Sequence, residues 1–157
     1  MRKAALLLLL ASPVAAQDAD PANQMIEGYV ACLMARGDAE VVSPNLGLYG
    51  WTTEPPVEGI ITAFPGVGGD TFLLMSEDRS FCHVESLVIG TRRLAELLGY
   101  GLPGTGFTVP EPTTNDQGCL TYDFGQGILA TLTAGGENPA CTSDTTSTLL
   151  FTFAPAD

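Results

Sequence analysis

The sequence predicts an α+β fold: one antiparallel sheet of about six to seven strands with two helices on a single face. Three observations carry this reading. Apolar residues recur at helical spacing over two short stretches, strand-like runs broken by Gly, Pro and Asp occupy much of the remainder, and each half of the chain has the order helix then strands. That order suggests a duplicated helix-plus-strands unit, in which Gly59 to Gly66 and Gly127 to Gly135 would hold matching places. A small β-barrel capped by the helices is the other architecture the pattern allows.

The first sixteen residues are expected to stand outside the fold. Arg2 and Lys3 form a positive start, Ala4 to Ala11 an apolar core, and Val14-Ala15-Ala16 a small-residue exit, which is the composition of a secretory signal peptide. The apolar run is shorter than the roughly 20 residues a membrane-spanning helix needs. Cleavage after Ala16 would leave residues 17–157 as a single domain, exported to the periplasm or secreted, with no membrane span.

The first helix of that domain begins with Asp20 as cap and Pro21 in the first turn, and it ends with Arg36 in the last turn and Gly37 as a left-handed stop. Ile26, Tyr29, Val30 and Leu33 form its core-facing stripe, with Cys32 on the flank. Strands are expected over Leu48 to Thr53, Gly59 to Phe64, Thr71 to Ser76 and Phe81 to Ser86, the last two as a hairpin. Alternation in Phe81 to Ser86 sets Cys82 and Val84 on one face, and Phe81, His83 and Glu85 on the other.

A second helix is expected over Thr91 to Leu98, stopped by Gly99, with Leu94, Leu97 and Leu98 apolar. The connection that follows, Tyr100 to Gly118, holds three prolines and is long enough to suggest a functional or mobile segment. Strands resume at Cys119 to Phe124, Gly127 to Thr133 and Ser147 to Phe153, the last turning Leu149, Phe151 and Phe153 inward.

Composition excludes several function classes. Without Arg2 and Lys3 the chain has four arginines against 18 carboxylates, a formal charge of −14. Such an excess repels nucleic-acid phosphates and anionic membrane surfaces. Lys3 is the only lysine, so the exported chain has no Schiff-base chemistry and no P-loop lysine. Gly66-Val67-Gly68-Gly69-Asp70 is therefore a turn between strands.

Cys32, Cys82, Cys119 and Cys141 are an even count in an exported chain and predict two disulfides. Cys82 shares the core side of its strand with Val84, and Cys32 flanks the first helix. This pairs Cys32 with Cys82, and Cys119 with Cys141. There is no CxxC, and one histidine cannot complete a common zinc site, so no metal and no cofactor are expected. Glu77-Asp78 and Asn115-Asp116 lack the pattern of a calcium loop.

No motif names an activity, and no catalytic residue is assigned. His83 is the only histidine, with Glu85 two residues along the same strand face, but Ser76, Ser80 and Ser86 lie in no nucleophile elbow. Arg92 and Arg93 in the first turn of the second helix would suit a small anion or pair with Glu96. Tyr49 and Trp51 alternate onto one face of their expected strand beside the rigid acidic segment Glu54 to Glu58, as a recognition patch would require, although Trp51 is better read as core filling. The function expected from this inventory is an exported, monomeric, non-enzymatic binding or envelope-maintenance module for a protein or small molecule. A secreted enzyme or enzyme inhibitor, using the His83 and Glu85 face or the 100–118 connection, is the alternative.

Overall fold

The computed structural model describes residues 20–136 and 140–155; the signal segment and its cleavage point lie outside them. The elements in chain order are α1 (Pro21–Ala35), α2 (Ala39–Leu48), β1 (Thr52–Thr53), β2 (Ile60–Phe64), β3 (Thr71–Ser76), β4 (Phe81–Ser86), α3 (Thr91–Gly101), β5 (Thr113–Thr114), β6 (Leu120–Gly125), β7 (Ile128–Thr133) and β8 (Ser147–Phe153). The eight strands form one antiparallel sheet in the order β1-β2-β3-β4-β8-β7-β6-β5. It is open, with the two shortest strands at its edges, so the barrel alternative does not hold. Two-residue edges present few unpaired backbone groups to another chain.

The strand order makes each half a four-strand meander entered from a helix, with β4 and β8 meeting at the centre. The equivalence expected from Gly59 to Gly66 and Gly127 to Gly135 is corrected by this topology. The first segment is β2, second in its meander, whereas the second segment is β7, third in its own. Glycine-bounded apolar strands look alike wherever they fall in a meander.

Helix α1 crosses the centre of the sheet. Asp20 caps it by accepting from the Ala22 amide, and Met25, Tyr29, Val30 and Leu33 are buried beneath it. Its close approach depends on Gly28, where an added Cβ would lie 2.8 Å from Val84 Cγ1 on β4. Tyr29 packs on Phe151 with ring centroids 6.0 Å apart. The left-handed stop begins one residue earlier than expected, at Arg36 (φ 50°), with Gly37 also left-handed (φ 73°). A side chain at Gly37 would strike the Phe153 ring.

Helix α2 was not anticipated, and it takes in Leu48, which the sequence placed in a strand. Asp38 caps it through the Glu40 amide, and Val42 and Leu46, four apart, supply its buried stripe. Val41-Val42, Pro44 and Gly47 are poor helix formers, so tertiary burial of those two side chains outweighs local propensity. Helix α3 runs past Gly99 to Gly101, because Leu98 and Leu102, also four apart, are both fully buried. Gly101 faces Ile26 of α1, where an added Cβ would sit 2.5 Å from Cδ1.

Both disulfides join the cysteines expected. Cys32 of α1 bonds Cys82 of β4 with Cα atoms 5.8 Å apart, fixing the helix to the sheet centre. Cys119 bonds Cys141 with Cα atoms 4.6 Å apart, fastening the start of β6 to the connection before β8. Two disulfides fit an oxidising compartment, and among the described residues no helix is long and apolar enough to cross a membrane.

Candidate functional site

The residues singled out in the sequence separate into three places. Trp51 and Tyr49 do not share a face. Trp51 is 5% exposed and its indole Nε1 donates to Glu27 Oε2 at 2.9 Å, whereas Tyr49 ends α2 at 43% exposure. The strand expected there is only Thr52–Thr53, so alternation never acts on Tyr49. Trp51 is core with a satisfied polar tip.

Arg92 and Arg93 lie in the first turn of α3, exposed. Arg93 pairs with Glu96 at 3.0 Å and lies 5.5 Å from the Tyr100 ring centre. The amide and hydroxyl of Thr91 both donate to the Ser143 carbonyl, so the first donors of this helix are already engaged by the chain.

His83 and Glu85 do meet. On the sheet face away from the helices, Nε2 of His83 lies 2.9 Å from Oε2 of Glu85, and the Thr148 hydroxyl donates to the same oxygen at 3.1 Å. Phe72 of β3 stacks on the imidazole at 6.2 Å and 24°. Gly135 closes over the carboxylate, leaving no room for a Cβ there. Burial pushes the His83 pKa below 6.5 and outweighs the opposing pull of Glu85. The imidazole is therefore neutral at pH 7, and a neutral ring donating from Nε2–H to the carboxylate satisfies both partners. Among the described residues no hydroxyl or thiol hydrogen-bonds His83, so an oriented base is present without a nucleophile. No group of three or more potential metal ligands occurs among the described residues.

A cavity of about 600 Å³ lies on the helical side at the β5–β6 end of the sheet. Ala95 and Gly99 of α3 form one wall, Leu120 and Tyr122 of β6 the floor, and Phe107 and Val109 the roof. Burial holds the Tyr122 phenol above its ordinary pKa of 10.0 and hence neutral. The roof belongs to the Tyr100–Gly118 connection. Its first part is pinned by backbone hydrogen bonds from Thr105 and Gly106 to Leu102 and Pro103. Residues 107–112, by contrast, have no backbone hydrogen bond among the described residues, and Phe107 and Val109 hold them by packing on the core. Pro110 and Pro112 remove two amide donors and favour extended neighbours, so this stretch cannot join the sheet until β5 begins at Thr113.

None of these cavity residues was marked individually in the sequence. The legible signal was the length and proline content of the connection, which located the region without the wall and floor, since those come from distant segments. Comparison of the chain with protein-family models, with curated proteins and with solved structures gives no match.

Proposed function

We propose that this chain is an exported, non-enzymatic binding module whose ligand is a small apolar molecule held in the cavity between α3, β6 and the 107–112 strap. One observation carries the reading: a cavity of about 600 Å³, walled by Ala95, Leu120 and Tyr122, is roofed by a segment that packs through Phe107 and Val109 and has no backbone hydrogen bond among the described residues. Ligand sites are commonly apolar clefts of roughly 300 to 1,000 Å³. A roof without backbone hydrogen bonds opens at a smaller cost than a strand or helix does. The strap is packed against the core, which argues against its use as a protruding inhibitory loop.

The test is titration of the full exported chain with N-phenyl-1-naphthylamine, a neutral apolar fluorophore. Saturable binding that is lost in Ala95→Trp, which fills the cavity, and retained in Leu129→Ala on the opposite sheet face supports the site. Binding unaffected by Ala95→Trp, in a variant that still unfolds cooperatively, overturns it.

The His83–Glu85 hydrogen bond favours a second reading, an enzyme using a carboxylate-oriented base. Turnover in a hydrolase panel that disappears in His83→Ala would replace the binding module with that reading.

A further inference from the structure

The strap has a cavity on each side. Gly106, Phe107 and Thr108 wall both the 600 Å³ cavity and a second one of about 450 Å³, which is lined by Leu33, Met34, Phe124 and Ile128 and edged by Arg36. Their floors are successive stretches of the same strand. Leu120, Tyr122 and Phe124 are successive core-side residues of β6, and from Leu120 to Phe124 the strand advances about 13 Å. Phe107 is thus the divider in a single, largely apolar trough, with Glu111 at the end far from Arg36, and it sits on the strap, which has no backbone hydrogen bond among the described residues. Met34, at 62% exposure, is an uncovered apolar lip at the far end.

The charge at that end is specific. Arg36 donates to the carbonyl and side-chain oxygens of Gln126, at 2.6 and 3.2 Å, and among the described residues it forms no ion pair. Two neutral acceptors leave both its charge and some of its N–H donors uncompensated. Two acids lie nearby, and both are engaged: Asp38 pairs with Arg79 at 2.9 Å, and Asp78 accepts from the Ser80 amide at 3.0 Å. The chain's overall negative charge acts through solvent and is screened beyond about 8 Å at physiological ionic strength, so the adjacent guanidinium dominates at the trough mouth.

We propose that the two cavities are the ends of one channel that takes a single-chain amphipathic carboxylate of the fatty-acid class. The tail lies along β6 beneath Phe107 and the carboxylate sits on Arg36. A largely apolar trough about four strand residues long, with a cation at its mouth that forms no ion pair among the described residues, matches an acyl chain with one negative head. This assignment rests on the binding-module reading and adds the ligand's class and orientation.

The experiment is displacement of N-phenyl-1-naphthylamine from the full exported chain by dodecanoate, dodecanol and octanoate, each below its micelle concentration. Dodecanoate is expected to compete at least tenfold better than dodecanol, and Arg36→Gln to erase that difference while Arg36→Lys keeps part of it. Octanoate should bind at least tenfold more weakly than dodecanoate, since each buried methylene changes affinity about fourfold. Because the acid-to-alcohol comparison is made on the unaltered chain, it stands even if Arg36→Gln fails to fold. Equal competition by acid and alcohol overturns the carboxylate assignment and leaves the binding module standing. Equal competition by octanoate and dodecanoate overturns the spanning channel. Failure of the fluorophore itself to bind overturns both.

Discussion

Gly28 of α1 lies against Val84 of β4 so closely that a single added methyl group would sit 2.8 Å from Cγ1 and 3.1 Å from Cγ2. The contact sets the height of the helix above the sheet, and Cys32–Cys82 closes the same interface one helical turn away. Both are consequences of small or bonded side chains at the centre of an otherwise large-residue layer.

Gly28→Ala is therefore expected to destabilise the fold. Alanine is better than glycine in a helix by about 1 kcal/mol, but forcing a methyl into a packed core costs about 1 to 3 kcal/mol, and the stiff β-branched Val84 cannot swing away. A net loss of about 1 kcal/mol should appear in urea unfolding, with Gly28→Val larger. A rise in stability for Gly28→Ala would show that the helix moves freely over the sheet.

The two disulfides should differ in worth. They close loops of 50 and 22 residues, and chain entropy makes the longer loop more stabilising by about 0.7 kcal/mol, on a base of about 3 kcal/mol each. Paired Cys→Ser replacement at 32 and 82 should lower the melting temperature more than at 119 and 141, the more so because Cys32 and Cys82 are fully buried. The reverse order in calorimetry would contradict this.

Trp51→Phe should cost about 1 to 3 kcal/mol, because it removes the donor to a carboxylate. Adding Glu27→Gln to Trp51→Phe should cost little more, and a double-mutant cycle with no coupling would show that the bond contributes nothing.

Stability should fall on mild acidification through His83. Its folded pKa is held below the ordinary 6.5 by burial, so as pH drops the unfolded chain takes up the proton first. The folded state is at its full advantage above about pH 6.5 and loses it progressively below. His83→Gln, which keeps a donor for Glu85, should lack this component when melting temperatures are compared from pH 7.5 to 5. Parallel curves for the two proteins would mean that the imidazole is not desolvated.

Legibility followed the range of the forces involved. Helix α1 was readable because its cap, proline and apolar stripe all lie within one segment, and the disulfide pairing because Cys82 and Val84 share a strand face. Helix α2 was not, since Val42 and Leu46 are held by packing with other elements against unfavourable local propensities. Tyr49 was misplaced because an alternation rule was applied where the chain leaves a helix through a turn. His83 and Glu85 were correctly expected on one face, but Thr148, which completes their hydrogen bonding, lies 63 residues from Glu85 in sequence.

The sequence by itself determined the α+β class, the strands that alternate cleanly, the acidic charge and the disulfide partners, because each depends on periodicity, composition or a face shared within one element. Tertiary structure alone decided the strand order that joins β4 to β8, the second helix, the burial that keeps His83 neutral, and the trough along β6. Those depend on which distant surfaces meet. A cavity in particular is the space left between elements, and no local pattern of residues encodes the volume that packing fails to fill.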